Sequence, residues 1–274
     1  MASEVAVLMA AYNSEATIKR AVDSLTRSTY PCDIFIVDDG SRIPVSEILA
    51  PDSNVEIIRL AKNQGLAGAL NAGLKRILEL PYKYVARMDA DDISYRDRFA
   101  KQVAFLDRHP NIGAVSTWGR HFEEHTGETI LIRRPPVKPE AVRRELFANS
   151  AMLHASAMFR ADVFRAVGPY SRDYPAAEDY ELFCRISKKF ALDNVPEVLI
   201  DVCESRTGIS RSRRQRQVYD RLKIQLKYFE PAQWRAWVGV ARTLVMLVMP
   251  RSAVWAVKRI RDQFVFGQPA GSAS

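Results

Sequence analysis

Short apolar runs of strand length alternate with helical segments along the first part of the chain. The runs lie at residues 5–10, 33–37, 55–60, 84–88 and 112–117. The predicted helices between them lie at residues 15–25, 66–80 and 96–109. Strands that alternate with helices form βαβ units. The sequence therefore predicts an α/β fold with a mostly parallel sheet that carries helices on both faces.

Polar clusters directly follow three of these runs. Tyr12-Asn13 follows the first run, Asp38-Asp39 ends the second, and Asp89-Ala-Asp-Asp92 follows the fourth. In open sheets of this class, ligands bind beyond the carboxyl ends of the strands. Chain order alone therefore predicts a ligand site at one edge of the sheet, with five acidic residues along it.

Composition and cysteine usage place the chain among ordinary globular proteins. Of its 274 residues, 47% are hydrophobic and 26% are charged, which excludes disordered, collagen-like and low-complexity classes. Three scattered cysteines are too few for a disulfide framework or a zinc site, which favours a reducing compartment. We expect neither a signal peptide nor a membrane span, because no basic segment precedes the first apolar run and no apolar stretch reaches spanning length.

The charge is divided unevenly between the two ends of the chain. Residues 205–274 carry a net charge of +11, whereas residues 1–204 carry −3. Such asymmetry indicates an anionic partner surface, either membrane or nucleic acid. The tail also carries Trp234, Trp237, Trp255 and an apolar stretch from 244 to 249. We expect residues 211–274 to be a basic, partly apolar helical tail that lies at a membrane surface. The alternative is that residues 244–265 pack on the rest of the chain or on a second subunit.

The segment Asp89-Ala-Asp91-Asp92 has two interpretations. It is either a solvated turn or helix start, or a site where Asp89 and Asp91 hold Mg²⁺ or Mn²⁺ together with substrate phosphates. Its position after an apolar strand, in phase with Asp38-Asp39, favours the metal site. The glycine fingerprints of dinucleotide-binding proteins and P-loop kinases are absent from the sequence.

The region after residue 121 is less regular but carries a second acidic pair. Glu178-Asp179 lies in the first turn of a helix predicted at 177–190. Acids there either cap the helix or, kept ionised by nearby backbone N–H groups, act as a general base. His121 and His154 are open to two interpretations as well, as ligands or bases or as structural residues.

Five short motifs occur in a specific order along the chain. They are Met9-Ala-Ala-Tyr-Asn13, Val37-Asp-Asp-Gly-Ser41, Asn63-Gln-Gly65 with Ala69-Leu-Asn-Ala-Gly73, Arg87-Met-Asp-Ala-Asp-Asp92, and Ala177-Glu-Asp-Tyr-Glu181. The ordered set resembles family 2 glycosyltransferases of the GT-A fold, and it is similar to bacterial enzymes that build exopolysaccharide and O-antigen units. The resemblance covers residues 4–210, and it implies a nucleotide-sugar half at about 1–120 and an acceptor half at about 121–210.

This resemblance implies an inverting transfer from a nucleotide sugar to a glycan or lipid-linked acceptor, assisted by Mg²⁺ or Mn²⁺. Asp179 is then the catalytic base, and His154, Ser156 and Glu178 lie near the acceptor and the donor sugar. Asp91 is the more direct metal ligand, with Asp89 at the metal and the diphosphate. The residues implied for nucleotide binding are Ala11, Tyr12, Asp39, Asn63, Gly65 and Asp89.

Two further expectations concern the chain's end and its partners. Relatives often carry a histidine near the end of the catalytic domain, but residues 202–210 contain none, so Glu204 or solvent is the expected substitute.

A non-catalytic nucleotide-sugar or glycan-binding module on the same fold is the alternative function. Nucleic acid is not an expected partner, because only the basic run at 211–216 suggests it. The expected location is cytoplasmic, peripheral at the inner face of the cell membrane, with an oligomer as an open alternative.

Overall fold

The computed structural model describes residues 3–204 and 214–248. The strands are β1 (Val5–Ala11), β2 (Cys32–Asp38), β3 (Val55–Arg59), β4 (Tyr84–Asp89), β5 (Ile93–Ser94), β6 (Ile112–Glu123), β7 (Thr129–Arg133), β8 (Met158–Arg160) and β9 (Ala191–Glu204). The helices are α1 (Ile18–Thr26), α2 (Val45–Ile48), α3 (Leu66–Leu78), α4 (Arg98–Arg108), α5 (Pro139–Leu146), α6 (Ala161–Val167), α7 (Glu178–Ile186), α8 (Arg214–Lys227) and α9 (Trp234–Val248), and a 3₁₀ turn spans His154–Ser156.

The strands form one sheet in the order β3-β2-β1-β4-β8-β6-β9-β5, with β7 paired to β6. Strands β1 to β4 are parallel, whereas β8 runs antiparallel between β4 and β6. Strand β1 lies between β2 and β4, and its last residues pair with Asp38 on one side and with Asp89 on the other. This register brings the polar clusters to a common edge, as the sequence predicts.

The hydrophobic core lies on both faces of the sheet. Val5, Val7 and Met9 of β1 pack on one face with α1 and α4, whereas Ala6 and Leu8 pack on the other with α3, α6 and α7. All five side chains are at most 1% exposed. Alternate burial on two faces explains why the run is continuously apolar. The predicted α/β fold with helices on both faces is confirmed.

Strand β9 is the longest of the described strands, and it escapes the sequence analysis. It pairs in parallel with β6 along almost its whole length, with register shifts near Thr117 and Trp118 of β6. Pro196 and exposed Glu197 interrupt its apolar pattern. A bulged strand has neither a regular period of two nor a continuous apolar run. Its place in the sheet therefore depends on pairing that the local sequence does not encode.

The C-terminal helices α8 and α9 pack close to α5 and α7. Gln225 of α8 donates from Nε2 to the carbonyl oxygen of Ala148 at 3.0 Å. Gly239 of α9 lies so close to Phe147 and Ala148 that a Cβ at this position would lie 2.5 Å from the Phe147 oxygen. The described part of the predicted tail is thus helical and docked. Trp255 and residues 205–213, which include the end of the 202–210 segment, lie outside the described residues.

Candidate active site at the sheet edge

Asp38, the last residue of β2, is a structural carboxylate. It is fully buried and accepts hydrogen bonds from the amides of Ser41 (2.8 Å) and Val45 (3.2 Å). Nη1 of Arg59 forms an ion pair with it at 2.9 Å. Burial alone raises the pKa of Asp38, but these hydrogen bonds and the arginine charge bring it below its usual value. All of its lone pairs are engaged, so it stabilises the turn after β2.

Asp39 fixes the loop that leads into α3. Its Oδ1 accepts the amide of Gln64 at 2.7 Å and its Oδ2 accepts the amide of Gly65 at 3.0 Å. The side chain of Asn63 also accepts the Gly65 amide, at 3.1 Å. Gly40 allows this close approach, because a Cβ there would lie 2.9 Å from the backbone of Lys62 and Asn63. The residues predicted at Asp39, Asn63 and Gly65 are therefore joined by hydrogen bonds between the turn after β2 and the loop before α3.

Tyr12 follows β1 at the mouth of this edge. Its side chain is 49% exposed, whereas the neighbouring Ala11 is 1% exposed. The amide of Asn13 donates to the hydroxyl of Ser41 at 3.1 Å, and this contact ties the turn after β1 to the turn after β2. An exposed aromatic ring on a fixed turn offers a stacking surface for a base or another flat ligand group.

Arg87, which the sequence analysis did not select, is the central cation of the site. It is 1% exposed within the apolar strand β4 and forms an ion pair with Asp89. Its Nε and Nη1 atoms are buried without a hydrogen-bond partner. Burial alone raises the pKa of Asp89, but the charge of Arg87 brings it below the ordinary value. An arginine within an otherwise apolar strand was a signal visible in the sequence.

Asp91 and Asp92 differ in how they are held. Asp92 is 1% exposed, and its Oδ1 accepts the amide of Cys203 at 2.9 Å, so it ties the cluster to β9. Asp91 accepts no hydrogen bond from the side chain of any described residue, and Arg20 instead binds its backbone oxygen at 3.0 Å. Desolvation and the charge of Asp89 raise the pKa of Asp91 to about 7. Asp91 is therefore the carboxylate that lacks a protein cation.

The residues present fit a divalent metal ion that is shared with a substrate. Within residues 3–204 and 214–248, no group of three His, Cys, Asp or Glu side chains is arranged to hold a metal by itself. Asp91 nevertheless offers an unpaired carboxylate beside Asp89. Mg²⁺ is commonly bound by one or two carboxylates together with substrate phosphates. The donor set fits that mode of binding and not a closed structural metal site.

His154 and Ser156 lie in the 3₁₀ turn, close to the end of β4. Ser156 is fully buried, and its hydroxyl accepts the amide of Thr117 at 3.0 Å, which gives it a structural position. His154 is joined through Nε2 to the hydroxyl of Tyr170 at 2.9 Å. Burial and the charge of Arg87 lower the pKa of His154 to about 4, so its ring is neutral near pH 7. Both Asp89 and Asp179 act on this pKa, so His154 lies between the two carboxylate clusters.

Glu178 and Asp179 lie in the first turn of α7, as predicted. Glu178 is 7% exposed, and burial together with the charge of Asp179 raises its pKa to about 8. The charges of Arg87 and Asp89 also reach Glu178. The acidic pair therefore lies close enough to the Asp89 cluster to interact with it electrostatically. Glu178 holds the proton of the pair at neutral pH.

His121 and Glu204 form a separate pair at the ends of β6 and β9. Nδ1 of His121 lies 2.9 Å from Oε1 of Glu204. Nε2 of His121 is buried without a partner. Glu204 is the last described residue before the gap, so its proposed substitution for a metal-binding histidine stays a prediction.

Comparison with known sequences identifies relatives along most of the chain. The model of the family described as Glycosyl transferase family 2 matches residues 6–168. The amylovoran biosynthesis glycosyltransferase AmsE of Erwinia amylovora is 33% identical over 238 residues, covering 81% of this chain and 86% of that protein. A β-1,3-galactosyltransferase of Escherichia coli is 28% identical over 233 residues, covering 81% and 82%. Its name gives UDP-Gal as donor and α-D-GlcNAc-diphosphoundecaprenol as acceptor.

A solved structure shares the fold. The mannosyltransferase PcManGT of Pyrobaculum calidifontis, in complex with GDP-Man and Mn²⁺, matches with a TM-score of 0.63 at 19% identity. The match covers 96% of this chain and 81% of that one. This likeness confirms the GT-A fold that the sequence motifs imply.

Proposed function

The chain belongs to glycosyltransferase family 2, and from that premise we propose that it is an inverting glycosyltransferase with a nucleotide-sugar donor. The acceptor is a glycan or a lipid-linked glycan in the synthesis of a surface polysaccharide. One observation carries the proposal. His154 and Glu178 interact electrostatically with Arg87, Asp89 and Asp179, which supports a single site with one group for the leaving diphosphate and another for the acceptor proton.

The donor nucleotide binds along the edge formed by Tyr12, Asp39 and the loop at Asn63–Gly65. Asp39 holds this loop through two backbone amides, so the pocket is shaped before the donor arrives. The ring of Tyr12 is free to contact the base. The PcManGT structure contains GDP-Man, and the E. coli relative is named for UDP-Gal, which supports a donor of this class.

Asp91, with Asp89 beside it, would hold Mg²⁺ or Mn²⁺ against the donor diphosphate. The ion supplies positive charge that stabilises the diphosphate as it leaves. Arg87 keeps Asp89 ionised in a desolvated setting, because it is the buried cation in contact with that carboxylate. No cation of a described residue forms an ion pair with Asp91, which supports its assignment as the direct ligand.

Asp179 takes the proton from the acceptor hydroxyl. A hydroxyl group is a weak nucleophile, and a positioned carboxylate that accepts its proton speeds its attack. Attack on the anomeric carbon from the side opposite the departing diphosphate inverts the configuration. Glu178, with its raised pKa, keeps a proton at neutral pH and so does not serve as the base there. His154 and Tyr170 border the same site.

Nucleotide release from a panel of sugar nucleotides tests the enzymatic proposal. The panel is measured with and without Mn²⁺, and with membrane extract as a source of acceptor. Metal-dependent release that rises with acceptor supports a transferase. Binding of a donor without release in any combination identifies the alternative, a non-catalytic sugar-nucleotide or glycan-binding module.

Helix α9 supports a peripheral membrane position. Its exposed face carries large apolar side chains, with Trp234 at 66%, Trp237 at 58% and Val245 at 54% exposed. Arg235 and Arg242 lie along one border of this face, and residues 205–274 are strongly basic. Helices of this composition lie in the headgroup region of anionic bilayers. No helix among the described residues is long and apolar enough to cross a membrane.

Vesicle sedimentation tests the membrane position. We expect the full-length protein to bind vesicles that contain phosphatidylglycerol and to dissociate at high salt, because each basic side chain near the surface contributes about 1 kcal/mol. The double variant Trp234→Ser, Val245→Ser should bind more weakly. Ile130→Ser is the matched control, since Ile130 is 50% exposed on β7. Equal binding by all three proteins contradicts the assignment of α9.

A further inference from the structure

Two arginines beside Asp179 have almost no partners within the protein. Arg221 of α8 is partly buried, yet it makes no hydrogen bond or ion pair with any described residue. Arg133, at the end of β7, makes a single hydrogen bond, from Nη2 to the carbonyl oxygen of Ser150 at 3.3 Å. A guanidinium has five N–H donors. The unpaired nitrogen atoms of both residues keep contact with solvent, because none is among the buried atoms that lack a partner.

The backbone of residues 146–150 brings these arginines and the acidic pair together. Arg133 binds the oxygen of Ser150, and Gln225, one helical turn after Arg221, binds the oxygen of Ala148 at 3.0 Å. The hydroxyl of Tyr180, the residue after Asp179, binds the oxygen of Leu146 at 2.6 Å. Strand β7, helix α7 and helix α8 thus converge on five consecutive residues.

The charges at this point are unbalanced. Burial lowers the pKa of Arg133, and Asp179 is the acid that acts most strongly in the opposite direction. Burial also lowers the pKa of Arg221, where Asp179 again opposes it and the charge of Arg242 on α9 adds repulsion. Glu145, the other acid near Arg133, lies 3.5 Å from Arg235. Asp179 therefore acts on two arginines, and neither of them forms an ion pair with a described residue.

Several neighbouring cations of α7 and α8 are paired, in contrast to Arg221. Lys227 of α8 and Arg185 of α7 both bind the buried Glu181, at 3.0 and 2.8 Å. Within α8, Arg216 binds the buried Asp220 at 3.0 Å. Arg221 forms no such pair with a described residue. A partly desolvated guanidinium without a partner is costly unless a ligand supplies the anion.

We propose that Arg133 and Arg221 form a subsite for a phosphate or diphosphate group of the acceptor. The inference rests on the proposed function, because it places an anion beside the base that serves the acceptor. Arginine binds phosphate through paired N–H donors, and such bonds are strongest where water is reduced. The donor diphosphate is assigned to the metal held by Asp89 and Asp91. The cationic site at Arg133 and Arg221 therefore serves the acceptor. The C-terminal helices then contribute directly to acceptor recognition.

Calorimetric titration of the full-length protein with inorganic pyrophosphate tests the subsite without a donor. EDTA is present, so that metal-dependent binding at Asp91 does not contribute. We expect Arg221→Gln and Arg133→Gln each to weaken pyrophosphate binding about tenfold or more, as loss of a charged hydrogen bond does. Arg108→Gln on α4 is the control with the same change in net charge, and Asp91→Asn is the control for the donor site. Neither control should change the affinity.

Further arms separate the possible outcomes. Since Arg221 is not paired with any described residue, Arg221→Gln should keep the thermal midpoint of the parent. Arg221→Lys keeps the charge but loses the paired donors, so it should bind pyrophosphate with intermediate affinity. The lysine variant replaces the glutamine variant if the latter does not fold. Equal pyrophosphate affinity of the parent and the arginine variants overturns the subsite. Weaker binding to phosphatidylglycerol vesicles with unchanged pyrophosphate affinity also overturns it, because the arginines then serve lipid headgroups. Failure of donor turnover in the parent contradicts the proposed function instead, and the pyrophosphate comparison does not depend on it.

Discussion

The two carboxylate clusters of the site are stabilised in different ways. At the ends of β2 and β4, Asp38, Asp39 and Asp92 are each held by backbone amides, and Asp89 is held by Arg87. In the first turn of α7, no side chain of a described residue donates a hydrogen bond to Glu178 or Asp179. Arg133 and Arg221, on which the charge of Asp179 acts, make few bonds themselves.

This difference separates two regions of the site. The edge at β2 and β4 is shaped by internal hydrogen bonds of Asp38, Asp39 and Asp92, and preorganisation of this kind lowers the cost of binding a ligand. The region around the first turn of α7 keeps charges of both signs close together, with few hydrogen bonds between described side chains. Such groups are available to a substrate, and they keep perturbed pKa values as a consequence. The following predictions test this contrast, from the largest expected effect to the smallest.

Asp179→Asn should have the largest effect on activity. The amide keeps the shape of the side chain but cannot accept the acceptor proton, so turnover should fall about 100- to 10,000-fold. Donor affinity should change little, because the base faces the acceptor. Initial rates and donor titrations measure the two quantities separately. Glu178→Gln is the matched variant and should be milder, since Glu178 is already protonated near neutral pH. The reverse order of the two variants would exchange their roles.

Asp91→Asn should act on the donor side alone. A neutral amide is a poorer ligand for Mg²⁺ or Mn²⁺, so metal-dependent donor binding should weaken by about 10- to 100-fold or more, as judged from the cost of disturbing metal-site partners. Calorimetry with Mn²⁺ and the active donor measures it. Glu124→Gln, another acid that acts on Asp91, is the control and should bind almost normally. Parent-like binding by Asp91→Asn would show that the ligand is elsewhere.

Glu178 should make stability depend on pH. Its pKa is raised from 4.5 to about 8, so the folded protein binds this proton more tightly than the unfolded chain does. Unfolding between these two pH values releases the proton, and the free energy of unfolding therefore falls as pH rises, by at most about 1.4 kcal/mol per pH unit. Glu178→Gln should remove this part of the slope. Urea titrations of both proteins at about pH 5, 6, 7 and 8 measure this slope between the two pKa values. Parallel curves would contradict a buried protonated Glu178.

The turn at Gly40 should be less tolerant than the turn at Gly127. Both glycines have positive φ, +72° and +71°, so alanine costs about 1–2 kcal/mol at either position. At Gly40 the added Cβ also lies 2.9 Å from the backbone of Lys62 and Asn63, whereas at Gly127 it meets nothing within 4 Å. We therefore expect Gly40→Ala to lower the free energy of unfolding by a further amount of about 1–3 kcal/mol, which is typical of overpacked sites. Chemical denaturation of both variants measures the difference in their free energies of unfolding. Equal losses in the two variants would mean that the loop at Lys62 and Asn63 moves to accommodate the added Cβ.

The parallel half of the fold was predictable from the sequence because its signals are local. Strands β1, β2 and β4 are buried on both faces, so each is a continuous apolar run, and each ends in a polar turn. Strand β9 was not predictable, because Pro196 and a register shift break its pattern, and its pairing with β6 spans about eighty residues. Helix α7 and its acidic first turn were predictable, although the neighbours of that turn were not.

The roles of individual site residues divide in the same way. Asp38 and Asp39 are adjacent in the sequence, yet one stabilises its own turn and the other holds a loop more than twenty residues away. Arg87 gave a signal, as a charged residue in an apolar strand. Arg221 gave none, because a single arginine in a basic helix is indistinguishable from its neighbours until the helix is docked.

The sequence by itself determined that acidic residues meet at one edge of a parallel sheet and that a second acidic pair begins a helix. Burial periodicity and strand-end turns are properties of neighbouring residues, so they can be recognised without the fold. The tertiary structure decided which of these carboxylates are engaged and which stay available. Asp38 and Asp92 are engaged by the backbone amides of other residues, whereas no described side chain donates a hydrogen bond to Asp91 or Asp179. Hydrogen-bond partners and desolvation come from residues far apart in the chain, and only packing brings them together.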